Sequence, residues 1–355
     1  MKKIYIITFS HTTNVGAALQ EYALYKKCKL FVEDTKVIDY IPKKIRKDNQ
    51  IIRLKKDLMK QIILLPFNIC SKYLFKKFSW KYINLTKKCF CKEEISRLEQ
   101  PDIYIVGSDQ IWNEDITGFD TGYLLDFNTN ARKTAYAGSI GNDYLPKVNE
   151  KRFLELINKF DCLSVREKLL SEQLEEKGVQ APVVLDPTFL LEKEEYLKIA
   201  SKINVSKYIL IYETEKNPLF IKVARKIAQE KNLKIIQINR INNRYKVDKV
   251  IPIVSPQKFV ALINNADYVL TNSFHGIAMS IILEKQFFYI KLKNRGSRID
   301  NIINIGKLSS RVLYDEKDII QLSDEKIDYS VVSERYKQER NNSILYLKEK
   351  IIEGK

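Results

Sequence analysis

His275, one of only two histidines in this 355-residue chain, stands in DYVLTNSFHG, from Asp267 to Gly276. Tyr268 to Thr271 read as a short buried strand, Asn272 and Ser273 break it, and IAMSIIL continues as a helix packed on a sheet. The imidazole therefore belongs at a strand-to-helix turn. There the helix N-terminus favours an anion, and a ring that titrates near neutral pH suits a general acid. The plainer reading is a capping turn with an incidental histidine. A second reactive stretch is GSDQIWN, which follows the strand-like DIYIV. Gly107 would let a ligand approach the backbone, and Ser108 and Gln110 would bond it. Asp109 could accept from sugar hydroxyls or act as a base, and Trp112 would offer a flat face to a ring. The same letters also allow a helix cap at Asp109 and a core plug at Trp112.

Cations complete the inventory. Arg166 in CLSVRE sits at the junction of a strand and a helix, placed to grip a carboxylate or phosphate by two hydrogen bonds, or to pair with Glu167 or a neighbour. Arg295 and Arg298 precede a helix in KLKNRGSRIDNI. Near the start, SHTTNVGA puts His11, Asn14 and Gly16 in a loop between a strand and a helix, with a spacing that fits neither a dinucleotide fingerprint nor a phosphate-binding loop. No carboxylate cluster calls for a metal.

The elements that would position these groups alternate strand and helix, which predicts an α/β fold. Strands are expected at Lys3 to Phe9, Lys36 to Tyr40, Asp102 to Val106, Thr134 to Gly138 and from Cys162 onward, with Val183 to Leu185 closing the first half. The pattern restarts near Leu191. Strands follow at Tyr208 to Glu213, Lys234 to Ile238, Tyr268 to Thr271 and Gln286 to Ile290, interleaved with helices at Pro218 to Gln229 and Ser255 to Asn264. The reading gives an N-terminal Rossmann-like domain over residues 1–190 on the acceptor side, with a basic helical insertion over about 43–85. A C-terminal Rossmann-like domain over 191–330 forms the donor side, and a long C-terminal helix over 331–355 crosses back onto the first half. Pro66 is expected to break the basic stretch in two.

Five cysteines without paired spacing and a leading segment without a cleavage site point to a reducing, cytoplasmic setting. A net charge of +17 calls for acidic partners or only for a solvated surface. Lysine is spread along the chain instead of interleaved with aromatics, so nucleic acid is not the expected partner. The basic stretch reads first as a plain surface helix, and second as a peripheral contact with the inner face of a membrane.

Six motifs in order, NVGAALQEYAL, GSDQIWN, SVRE, LDPTFLL, DYVLTNSFHG and GSRIDNII, run from about residue 8 to about residue 310. With them the chain resembles the polysaccharide pyruvyl transferase family. The resemblance implies two Rossmann-like domains facing a cleft, GT-B-like, that transfer pyruvyl from phosphoenolpyruvate to a saccharide or lipid-linked saccharide as a cyclic ketal, in bacterial exopolysaccharide and cell-surface polysaccharide biosynthesis. No cofactor beyond that co-substrate is implied. His275 then resembles the family's active-site histidine, and Arg166 a ligand for the donor's carboxylate or phosphate. Better-known members carry an arginine two residues before the histidine. Ser273 holds that place here, so Arg295 or Arg298 is expected to compensate in the donor site. Asp109 joins His275 as a catalytic candidate, and His11, Asn14, Gly16, Gly107, Ser108, Gln110 and Trp112 fall on the acceptor side. One rival is a GT-B glycosyltransferase using a nucleotide sugar; another is a non-catalytic saccharide or phosphate binder of the same fold.

Overall fold

A computed structural model of the chain describes residues 2–48, 58–238, 245–291, 297–320 and 325–355. Residues 49–57 of the basic stretch lie outside these. Two compact units are present: one combines Met1–Lys55, Phe75–Leu191 and Gln338–Lys355, the other Lys56–Leu74 and Glu192–Lys337.

The first unit is built on five parallel strands: β1 Lys3–Ile7, β2 Asp34–Val37, β3 Ile103–Val106, β4 Arg132–Gly138 and β5 Cys162–Val165. Their order is β2-β1-β3-β4-β5. Side chains of successive residues leave a strand on opposite faces, so each strand feeds two apolar layers. Tyr5, Ile7, Tyr104 and Val106 pack with Trp112 and Phe153 on one face. Ile4, Ile6, Ile103 and Ile105 face Leu24 and Cys28 of the helix Val15–Phe31 on the other. The same second layer takes Leu347, Ile351 and Ile352 from the end of the chain. There the helix Tyr329–Tyr346 passes into the wider turns of a π-helix, Leu347–Glu353. Its last carbonyls accept hydrogen bonds from cations, a favourable pairing at a helix C-terminus: Arg132 Nη1 and Nη2 reach Ile351 O and Lys350 O at 3.0 and 3.1 Å, and Lys2 Nζ reaches Ile352 O at 3.0 Å.

The second unit has six parallel strands, β6 Tyr208–Tyr212, β7 Lys234–Ile238, β8 Lys249–Ile251, β9 Tyr268–Thr271, β10 Gln286–Ile290 and β11 Val312–Leu313. Their order is β11-β10-β9-β6-β7-β8. The sequence reading lacks β8 and β11, which are too short, at three and two residues, to show a period. Pro66 does not break the basic stretch. It lies inside one continuous helix, Leu58–Tyr82, because losing a single backbone donor is a local cost between good helix formers. Among the described residues, no helix is long and apolar enough to cross a membrane.

The strand orders decide where ligands can go. In the first sheet the chain steps from β1 outward to β2 and then returns to the far side of β1 with β3. In the second it runs from β6 outward to β8 and returns beside β6 with β9. The loops leaving β1 and β3, and those leaving β6 and β9, therefore diverge and open a crevice at the carboxyl edge, the usual ligand position of open α/β sheets.

Candidate functional site

At the carboxyl edge of the first sheet, the β1 loop and the β3 loop are tied to one another. Thr8 Oγ1 donates to Ser108 O at 3.1 Å and accepts from the Gln20 side-chain amide at 2.8 Å. Asn14 starts the helix Val15–Phe31 by accepting from Gly16 N–H and Ala17 N–H, at 2.8 and 3.3 Å. Between these segments lies a cavity of about 350 Å³, walled by Phe9, Ser10, Thr12, Asn14 and Ala17 on one side and by Asp109, Gln110, Asp115 and Ile116 on the other, with Ile45 beside them. Ligand pockets start at roughly 300 Å³, so one sugar ring fits. The wall holds two carboxylates and neither Lys nor Arg, which suits a hydroxyl-rich neutral ligand better than a phosphate.

One helical turn beyond the cavity residue Ala17 is Glu21, 1% exposed and with Oε1 unbonded. Burial, helped by the charge of Asp39, pushes its carboxyl from 4.5 up to about 8. The folded protein thus holds a proton that the unfolded chain releases above pH 4.5, and stability falls as pH rises from there through 8. Glu21→Gln, which mimics the protonated acid, is expected to leave stability at pH 5 nearly unchanged and to raise it by roughly 3–5 kcal/mol at pH 9. Urea unfolding at both pH values reads this out; parallel shifts at the two would refute it.

At the carboxyl edge of the second sheet, Asn272 joins the β9 loop to the β6 loop. Its Oδ1 accepts from Thr214 N–H and Oγ1 at 2.7 and 3.1 Å, and its Nδ2 donates to Glu215 O at 2.7 Å. Ser273 then caps the helix Phe274–Ile282 through Gly276 N–H at 3.4 Å. Gly276 is required by packing, since a Cβ there would lie 2.4 Å from Thr271 Oγ1. His275 occupies the first turn of this wholly buried helix, 8% exposed, its ring nearly perpendicular to that of Phe274 with the centroids 5.1 Å apart. It stands where the backbone N–H groups of a helix N-terminus favour an anion.

The first unit gathers Asn14, Asp109 and Gln110 around its cavity, and the second unit carries His275 and Ser273 at its own switch point. His11 lies between the cavity residues Ser10 and Thr12, with its ring on Asp39. Other expectations need correction. Trp112 is not presented to a ligand: it is 3% exposed, donates from Nε1 to Tyr123 O at 3.1 Å, and packs edge-on against Phe153 and Phe160. Its ring fills the space over Gly138, where a Cβ would come within 2.2 Å. Gly107 serves close packing, because a Cβ would meet Thr8 Cβ at 2.9 Å. Ser108 is fully buried and donates to Asp186 Oδ2 at 3.1 Å. Gly16 is buried in the first turn of its helix. Asp109 caps no helix; Asn113 does so, through Asp115 N–H at 3.0 Å.

Arg166 is internal as well. Only 3% exposed, it donates to Asp186 Oδ2 at 2.8 Å, Ser139 Oγ at 2.9 Å and Glu167 Oε1 at 3.3 Å. Burial works against its charge and is outweighed by the carboxylates of Glu167, Asp186 and Asp109, so the guanidinium is held more firmly charged than usual. Its bond to Asp186, which also accepts from Ser108, braces the loop that carries Asp109. Arg295 and the side chain of Arg298 lie outside the described residues.

The sequence reading missed Asp39, Glu21 and Asp186. Asp39 follows the strand run VI and so shares the polar carboxyl-edge signal used for the other loops, and Glu21 is a lone acid on an otherwise apolar face of NVGAALQEYAL.

Two parallel-sheet α/β units define a GT-B-like fold, and solved structures with low sequence similarity share it. The UDP-GlcNAc 2-epimerase of Neisseria meningitidis bound to UDP-GlcNAc is 14% identical with TM-score 0.56, over 99% of this chain and 100% of that one. The S. aureus MnaA-UDP co-structure is 13% identical with TM-score 0.57, over 98% and 96%. The UDP-N-acetylglucosamine 2-epimerase of Rickettsia bellii is 13% identical with TM-score 0.52, over 100% of both. The family model of polysaccharide pyruvyl transferase matches residues 14–294, and the chain belongs to that family. No curated protein sequence matches it.

Proposed function

We propose that the protein transfers pyruvyl from phosphoenolpyruvate to a saccharide, forming a cyclic ketal, with no cofactor beyond that co-substrate. The observation that carries this is His275 on the first turn of a buried helix at the switch point of the second sheet. Ketal formation from an enol phosphate needs a proton on the methylene carbon, and then two hydroxyls added in turn to the adjacent carbon, with phosphate leaving between them. His275 delivers the proton, and the helix N-terminus stabilises the donor's anionic groups. Ser273 takes the family's arginine position, and Arg295 or Arg298 supplies the cation it lacks. The acidic cavity of the first unit suits the acceptor, with Asp109 and Gln110 bonding its hydroxyls. Exposed Ile69, Tyr73 and Trp80 along the helix Leu58–Tyr82, with Lys76 4.3 Å over the Trp80 ring, support a lipid-linked acceptor met at the cytoplasmic face of a membrane.

Thermal unfolding with candidate donors tests the donor. Phosphoenolpyruvate at about a hundred times its Kd should stabilise the protein by about 2.7 kcal/mol, and UDP-sugars at equal concentration should not. Stabilisation by UDP-sugars alone would replace this reading with nucleotide-sugar glycosyl transfer.

A further inference from the structure

Asp109 lies on the wall of the first unit's cavity, 7% exposed and held in a left-handed backbone with φ 71°. Its Oδ1 accepts from Gln110 N–H at 2.9 Å, and among the described residues its Oδ2 has no hydrogen-bond partner. A buried carboxylate oxygen is costly unless something donates to it. Arg166 beneath does not cancel the charge, because the guanidinium is shared with Glu167 and Asp186, to which it is bonded. Asp115 adds a second, exposed carboxylate to the wall, which holds no Lys or Arg. Arg46, next to the wall residue Ile45, lies over the Phe90 ring at 5.5 Å. In a chain of net charge +17, this cavity has the opposite sign.

The wall also offers donors. Asn14 Oδ1 accepts from two backbone N–H groups, which leaves its Nδ2 to donate. Asn113 Oδ1 accepts from Asp115 N–H, so Asn113 Nδ2 is the donor to Gln110 Oε1 at 3.2 Å, and Gln110 keeps its own Nε2 to donate. Phe9, Ala17, Ile45 and Ile116 supply apolar surface beside these groups.

We propose that the cavity is a pyranose subsite that takes neutral sugars in preference to acidic ones, with Asp109 as the residue that sets the preference. The assignment deepens the acceptor side of the pyruvyl transfer reading and rests on that reading for its part in turnover. A sugar hydroxyl is donor and acceptor at once. Neighbouring hydroxyls donate to Asp109 Oδ2 and accept from the amides of Asn14 or Gln110, while a C–H face of the ring meets the apolar wall. A uronic acid brings a third carboxylate to a wall that has two and no cation, and like charges placed together suppress binding.

Titrations without any donor test this. Methyl glycosides of glucose, galactose and mannose are each compared with the matching uronic acid, which differs only by a carboxylate at the last carbon, on the intact protein at neutral pH. In the pair that binds best, the neutral sugar should bind at least about tenfold tighter. Asp109→Asn keeps an acceptor for Gln110 N–H and a residue that tolerates the left-handed backbone. It should shrink the ratio at least about threefold, chiefly by tightening the acid. Asp115→Asn, at an exposed position, should change it less than about twofold. Equal affinities within the pairs, tighter binding of the acids, or no binding of any of these sugars overturns the subsite. A larger change in Asp115→Asn than in Asp109→Asn overturns the choice of Asp109. A wild type that keeps the ratio but leaves phosphoenolpyruvate unconsumed defeats the pyruvyl transfer reading instead and leaves the subsite standing.

Discussion

His275→Gln is expected to lower kcat for phosphate release from phosphoenolpyruvate by about 10²–10⁴ while changing stability little. Glutamine keeps the side chain polar and of similar reach but cannot deliver a proton at neutral pH. The helix start does not depend on the ring, because the cap is the Ser273 hydroxyl on Gly276 N–H. Removing that cap by Ser273→Ala should give the converse result, a stability loss of about 1 kcal/mol. A purely structural histidine would reverse the pattern at position 275. Its replacement would lower the melting temperature and leave turnover per folded molecule intact, and stopped-flow phosphate detection beside thermal melts separates the two.

Arg166→Met is expected to destabilise the protein by about 3–5 kcal/mol. The guanidinium sits between side chains that are 2% exposed at Glu167 and 0% at Asp186, so removing it leaves two buried carboxylates without their cation. Glu167 already has one oxygen, Oε2, without a hydrogen-bond partner, and it would lose a bond on the other. Arg166→Lys keeps the charge but gives up the forked geometry and should fall between wild type and Met. Chemical denaturation of the three proteins reads this out. Equal midpoints, with only the donor KM raised in Arg166→Met, would return Arg166 to the donor site and contradict the internal role.

Much of the architecture is legible because parallel strands covered on both faces are near-continuous apolar runs. KIYII, IYIV, YILIY and QFFYI announce themselves in this way. The carboxyl-edge loops follow from where those runs stop. What the letters do not carry is which side chain of a loop turns inward. In GSDQIWN, Ser108 and Trp112 go into the core, while Asp109, at φ 71°, turns to the cavity. That division depends on a backbone angle and on the room that Gly138 leaves for the indole. Arg166 has the same origin: an arginine at a strand end reads as an anion ligand until Asp186, twenty residues later, is seen to claim it. The Asp39 and His11 pairing needs the strand order, because β2 lies beside β1 only in the folded sheet.

The proposed reaction turns an enol phosphate into a ketal. It is tested most directly by incubating the purified chain with phosphoenolpyruvate and a saccharide carrying two neighbouring hydroxyls, following phosphate release and the product's proton NMR spectrum together. Phosphate is expected in step with a new ketal methyl signal on the saccharide, both lost in His275→Gln. Phosphate without a ketal, or a ketal formed at the same rate by His275→Gln, would contradict it.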